Sequence, residues 1–181
     1  MDCVSAIVPG LGMTKEWRHD TISGGSFMGG ATSMVAENWQ ICCIEKIARS
    51  PCKKTNLRLN IDSAELRELS RPSDEIDEFE WTEDFDGRMI LDNQYLLNFK
   101  MVVGTGGAQT RTLRELYHFI KCQFRYIQQN PNTDIVFVNI LDGDCAAKKM
   151  HRFNQLKQKF NEFEKVFIGD TYTFQQEWPF P

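Results

Sequence analysis

No apolar run in this 181-residue chain approaches the roughly 20 residues needed to cross a bilayer, which argues against a membrane-spanning helix. The six cysteines, Cys3, Cys42, Cys43, Cys52, Cys122 and Cys145, contain no C-x-x-C pair, and no histidine stands at zinc-finger spacing from them. A structural zinc site and a disulfide framework therefore both lack support. Cys42 and Cys43 read as core thiols, since no basic partner stands near them to activate a nucleophile. The three histidines, His19, His118 and His151, are too dispersed for an imidazole-based centre. There is no excess of positive charge either. With 21 Lys and Arg against 25 Asp and Glu, the net charge of -4 opposes non-specific coating of nucleic acid, but not binding along one groove, where the local field decides. Internal repeats, low-complexity segments and interdomain linkers are missing as well. The start carries Asp2 and no signal-peptide pattern, so the expected setting is a reducing, intracellular one, the cytoplasm.

What is present is a globular composition, 41% hydrophobic and 12% aromatic with 13 Phe, at a length suited to one domain. Residues 1–30, Gly-rich and without periodicity, predict an irregular arm that carries Trp17, Arg18 and His19; residues 31–181 predict the domain proper. A buried helix is expected from Ala31 to about Ser50, carrying Glu37 either to solvent or into a site. Alternation predicts a strand over Thr55–Ile61 and a short helical piece over Ala64–Leu69. Thr110–Gln129 is a helix, capped by Thr110 or Thr112, with Leu113, Leu116, Tyr117, Ile120 and Phe124 inward. Ile135–Leu141 is a strand with both faces covered, and Asp142-Gly143-Asp144 a turn, its acids alternatively metal ligands. A helix over Ala146–Phe163, a strand over Val166–Ile168 and a tail from Thr173 complete the order. That order indicates α/β architecture around one mixed sheet.

The chemistry centres on Phe85 to Val103, an Asp at the mouth of a β-hairpin and a return strand bearing Asn98 and Lys100. Two apart on a strand, Asn98 and Lys100 leave the same face. Whether Asp86 joins them depends on the turn: a three-residue loop Asp92-Asn93-Gln94 sets Asp86 opposite Lys100, whereas a two-residue turn at Asp92-Asn93 sends it to the other face. The three-residue loop, or a bulge with the same effect, is the expectation. An acid, an amide and a lysine would then converge at about 5 Å, as cross-strand neighbours do. That trio suits phosphodiester hydrolysis, with Mg²⁺ on oxygen ligands and the ammonium steadying the nucleophile or the developing charge.

Charge is unevenly placed around this hairpin. Eight acids crowd Asp74 to Asp86 with no Lys or Arg, whereas Arg111, Arg114, His118, Lys121 and Arg125 recur at helical spacing. The acidic run reads as a solvated loop, its last members as metal candidates. The basic stripe reads as a solvated face or as a phosphate-tracking one. Gly104-Thr105-Gly106-Gly107 leads into it, and Gln109, Thr110 and Arg111 add donors at the helix start.

Carried by Glu83-Asp84-Phe85-Asp86-Gly87, Asn98-Phe99-Lys100 and the run Gly106 to Ile120, the sequence resembles the PD-(D/E)XK nuclease superfamily, specifically type II restriction endonucleases, over about Glu80 to Trp178. The resemblance implies a single-domain three-layer α/β sandwich, a mixed central sheet flanked by helices. It also implies Mg²⁺-dependent cleavage of double-stranded DNA at a short site by a homodimer. Asp86 takes the place of the family's metal-binding Asp and Lys100 that of its catalytic Lys. Asn98 stands where the family has Asp or Glu, a departure that weakens the metal site unless Glu83, Glu37 or Asp92, in that order, supplements it; the Phe99 carbonyl is a further oxygen. The expected catalytic set is Asp86, Asn98, Lys100 and Glu37, the metal set Asp86, Asn98 and Glu83, and the DNA-binding set Gln109, Thr110, Arg111, Arg114, His118 and Lys121. Two other readings stay open. One is a nuclease-fold DNA-binding protein with little or no turnover. The other is a nucleotide cradle at Gly104–Gly107, which lacks the P-loop lysine and the full G-x-G-x-x-G.

Overall fold

The centre of the structure, a computed structural model, is the strand Ile135–Asp142, every residue of which is buried. A mostly apolar run of this length, buried throughout, satisfies both faces of a sheet only when helices cover each of them. The structure describes residues 29–69, 78–103, 106–160 and 164–177; the proposed N-terminal arm lies outside them. In chain order the elements are α1 (Gly29–Ala48), β1 (Leu57–Leu59), β2 (Leu66–Glu68), β3 (Gly87–Ile90), β4 (Gln94–Met101), α2 (Gly107–Gln129), β5 (Ile135–Asp142), α3 (Asp144–Gln158), β6 (Val166–Gly169) and α4 (Thr171–Glu177), with a 3-10 turn at Glu78–Glu80 before β3. The main sheet runs β3-β4-β5-β6. Its first pair is antiparallel and the other two are parallel, so it is mixed.

Side-chain parity sorts the sheet into two cores. Leu96, Phe137 and Leu141 face a cluster with Leu116, Ile120 and Phe124 of α2 and Phe153 and Leu156 of α3. Tyr95, Leu97, Phe99, Val138 and Ile140 face Ile44 and Ala48 of α1 and Phe174 of α4. Helices thus lie on both faces of a mixed sheet, a mixed α/β fold. Each fully buried Leu, Ile or Phe contributes roughly 1.5–3 kcal/mol by leaving water, so these two layers hold the strands in register. No helix among the described residues is long and apolar enough to cross a membrane. None of the five described cysteines forms a disulfide.

Four local expectations change. Residues expected as a helical piece over Ala64–Leu69 form β2, antiparallel to β1. Asn60 Oδ1 accepts the Asp62 and Ser63 N–H groups and Ala64 turns to a φ of 59°, so the chain reverses before a helix can start. The segment is too short to nucleate a helix in any case. The tail expected from Thr173 is the helix α4, opened by Asp170, whose Oδ1 accepts the Thr173 N–H at 2.7 Å. Neither Thr110 nor Thr112 caps α2. The helix begins earlier, at Gly107, and both hydroxyls bond back to carbonyls one turn before them, those of Gly106 and Ala108. Finally, α3 ends at Gln158, short of the expected Phe163.

The ends of β4 and β5 are locked together beside the site. Val102 donates to the Asp142 carbonyl, and the Val102 carbonyl accepts the Cys145 N–H. Gly143 makes this approach possible: its φ is 103°, and a Cβ there would stand 2.4 Å from the Val102 oxygen.

Candidate active site

The hairpin turn is Leu91-Asp92-Asn93, with Ile90 paired to Gln94, so it lies one residue earlier than the expected Asp92-Asn93-Gln94. Asp92 decides this. Its Oδ1 accepts both the Asn93 N–H and the Tyr95 hydroxyl, closing the loop before Gln94. Asp92 is thereby placed at the opposite end of the hairpin from Lys100 and is excluded as a supplementary ligand. The displaced turn still contains three residues, so side-chain parity is unchanged. Gly87 to Leu97 is the last rung. Continued by one step, the ladder would set Asp86 across from Asn98, not from Lys100 as expected.

Asp86 leaves the ladder at that step, and its Oδ2 accepts the Phe99 N–H at 2.6 Å. The N–H and C=O of one strand residue leave on the same side, so the Phe99 carbonyl also faces the side on which β3 has ended. Burial pushes the Asp86 carboxyl up to about 6. The Lys100 ammonium and the Phe99 N–H pull it down, while Glu37 and Glu83 push it up. Four ionisable side chains therefore share one field at the carboxyl end of β4. Glu37 comes from α1, the helix on the other face of the sheet from Lys100. Lys100 Nζ donates to Glu83 Oε2 at 3.0 Å, with the Glu83 side chain half exposed. Among the described residues, no three His, Cys, Asp or Glu side chains are arranged to hold a metal ion.

Asn98 has a protein partner besides its expected role. It is fully buried, and its amide donates to Asn139 Oδ1 at 3.3 Å. Asn139 donates to Gln123 Oε1 at 2.7 Å and to the Phe167 carbonyl at 3.1 Å, and accepts from Gln123 Nε2 at 3.0 Å. These three amides tie α2 to the sheet directly beneath Lys100. The Asn98 Oδ1 has no hydrogen-bond partner among the described residues. Sequence reasoning passed over Asn139 and Gln123, although each is a lone amide among apolar neighbours, one in the β5 run and one on the buried face of α2.

A second buried network was also missed. Asp142 accepts Gln40 Nε2 at 2.6 Å, Thr171 Oγ1 at 2.7 Å and the Thr171 N–H at 3.1 Å. Burial raises its carboxyl, which these donors oppose. It clamps α1 and α4 onto β5 and is the last residue of that strand, not part of the expected turn.

The basic stripe divides into three parts. Arg111 is paired with Glu115 on the same helix at 2.8 Å, so the stripe does have an acid beside it. Arg125 is committed to the Ile61 and Asp62 carbonyls. Arg114, His118 and Lys121 are exposed, as is Thr110, while Gln109 is half buried. Of the proposed cradle, Gly104 and Thr105 lie outside the described residues. No family model, curated protein or solved structure matches the chain.

Proposed function

We propose that this chain is a Mg²⁺-dependent endonuclease that hydrolyses phosphodiester bonds of double-stranded DNA at a short specific sequence, acting as a homodimer with a restriction-endonuclease-like fold. The observation that carries this reading is the meeting of Asp86, Lys100 and Glu83 at the carboxyl end of β4, with Asp86 on the Phe99 N–H and Lys100 on Glu83. The donor types suit a hard divalent cation: the Asp86 carboxylate, Glu83 or Glu37 beside it, the Phe99 carbonyl, and the partnerless buried amide oxygen of Asn98. Held by these residues, Mg²⁺ would supply polarisation of the phosphoryl group and activation of water.

The chain's own groups have separate tasks. Asp86, kept from solvent and raised above the usual carboxylate range, favours a cation that relieves the cost of its charge. Lys100 presents an ammonium to the developing negative charge on the phosphoryl oxygens. Its exposed pairing with Glu83 is weak enough to exchange for a phosphate oxygen. Asn139 and Gln123 position Asn98, and with it the strand that bears Lys100.

A second reading is favoured by two particular observations: Asn98 is drawn into the amide network, and no three-acid cluster exists among the described residues. Both suit a DNA-binding relative without turnover. Plasmid DNA incubated with Mg²⁺ or with EDTA separates the two. The endonuclease reading expects Mg²⁺-dependent cuts with defined ends, lost by at least about a thousandfold in Lys100→Ala and Asp86→Ala while DNA binding persists. Wild-type protein that binds DNA and leaves it intact in Mg²⁺ would select the second reading.

A further inference from the structure

The chain is acidic as a whole, yet its α2 and α3 carry eight Lys or Arg against two acids. Both acids are engaged: Glu115 pairs with Arg111 and Asp144 with Lys148. Between the two helices runs a groove of about 550 Å³. Arg114 and His118 stand on one wall, and Lys149, Arg152 and Lys159 on the other. No Asp or Glu lines it among the described residues.

The floor has a different character. Leu113 and Phe153 are buried and Tyr117 is half buried, so the floor offers no fully exposed Phe, Tyr or Trp ring for a base to stack on. Cations rising from an occluded apolar floor suit the outside of a polyanion, not its bases. From Thr110 to His118 the helix rises about 12 Å, roughly the axial span of three or four base pairs of DNA. Thr110, in the first turn of α2, stands at the end of the groove nearer the exit of β4, which bears Lys100.

We propose that this groove is a track for the phosphate backbone of DNA, continuing away from the Asp86 and Lys100 edge and binding without regard to sequence. It shares a partner with the endonuclease reading but lies on another surface, and only its place in the reaction rests on that reading. Lys149, Arg152 and Lys159 belong to it as much as the α2 residues do. Lys121 lies outside it.

Binding of a labelled 20-base-pair duplex, measured in EDTA across a salt series, tests the track without any cleavage. In Arg114→Ala/Arg152→Ala/Lys159→Ala, affinity should fall at least about tenfold. The slope of log K against log salt should flatten by roughly 2 to 3, near 0.9 for each phosphate that is no longer neutralised. Lys148→Ala, exposed on α3 but outside the groove, should leave the slope unchanged. All three replaced side chains are exposed, and an unaltered melting curve shows that the variant folds. An unchanged slope in the triple variant overturns the proposal. So does inorganic phosphate that displaces the duplex as well as unlabelled DNA of equal phosphate content, since the groove would then be a single-anion site. A dimer that dissociates in the triple variant while DNA affinity is kept also overturns it, because a second copy would then fill the groove. Wild-type protein that cleaves nothing, with the triple variant still losing its slope, keeps the track and rejects the endonuclease.

Discussion

Asp86 and Asp142 stand at the same carboxyl edge of one sheet, both withdrawn from water, and the chain treats them oppositely. Asp142 is surrounded by donors, Gln40 from α1 and Thr171 twice from α4, none of them charged. Asp86 has one backbone donor and sits among Lys100, Glu37 and Glu83. A buried carboxyl held by three neutral donors from two helices is a clamp, because those bonds tie α1 and α4 to β5 even though burial still raises it. A carboxylate left with one donor and two neighbouring acids is answered only in part, and is the one that gains from a ligand. The contrast separates a carboxyl committed to stability from one left open to a ligand.

The largest expected effect breaks the clamp. Asp142→Ala leaves the Gln40 amide, the Thr171 hydroxyl and the Thr171 N–H without an acceptor in a buried space, at a cost of about 4 kcal/mol. Urea denaturation of the variant should give that loss. Because Gln40 lies one helical turn after Glu37, the loosened α1 should also weaken any Mg²⁺-dependent activity. A loss below about 1 kcal/mol would mean that Asp142 clamps nothing, and the contrast would collapse.

A smaller effect, of opposite sign, sharpens the comparison at Asp86. Its folded value of about 6 lies above the ordinary 3.8, so the folded chain holds the proton more tightly than the unfolded one. Stability from this group is full below pH 3.8, falls as pH rises to about 6, and stays lost above it. The shift corresponds to about 3 kcal/mol at 1.36 kcal/mol per pH unit, reduced by partial exposure to about 2. Asp86→Asn, which keeps an oxygen for the Phe99 N–H and does not titrate, should therefore be more stable than wild type in metal-free buffer at pH 8. The two should converge near pH 4. If the variant is instead the less stable at pH 8, Asp86 is a clamp like Asp142.

Sequence pattern revealed the parts of this contrast that depend on period. Asn98 and Lys100 could be set on one face because side chains alternate strictly along a strand, and a turn displaced by one residue left that parity intact, whereas Asp86 leaves the ladder to accept the Phe99 N–H and escapes it. Strand β5 and helix α2 were legible for the same reason, as long runs with one clear period. What escaped depends on partners far apart in the chain. Gln40 meets Asp142 across 102 positions, and nothing in its own neighbourhood announces it. Asn98 looked like a ligand by its place beside Lys100. Its actual partner, Asn139, was hidden inside an apolar run, where the amide was itself the clue. Short elements were misread because three residues of β2 carry too little pattern to outweigh local propensity. The α3 wall of the basic groove was overlooked because its helix was read for its apolar face alone.

The smallest expected effect tests whether the Asp142 clamp is cooperative. Thr171→Val keeps the shape of the side chain and the backbone N–H, and removes only the hydroxyl that donates to Asp142 Oδ2 at 2.7 Å. A single hydrogen bond to the ionised carboxylate, with two donors remaining, should be worth about 1.5 kcal/mol at a pH where Asp142 has lost its proton, read as a lower urea midpoint at unchanged slope. Losing that donor raises the Asp142 carboxyl further, since burial already pushes it up and the hydroxyl opposes this. The deficit should therefore shrink as pH falls and Asp142 takes its proton, the reverse of a hydroxyl that merely fills space. A deficit constant with pH would mean that Thr171 packs against Asp142 without answering its charge, and the clamp would then rest on Gln40 and the backbone alone.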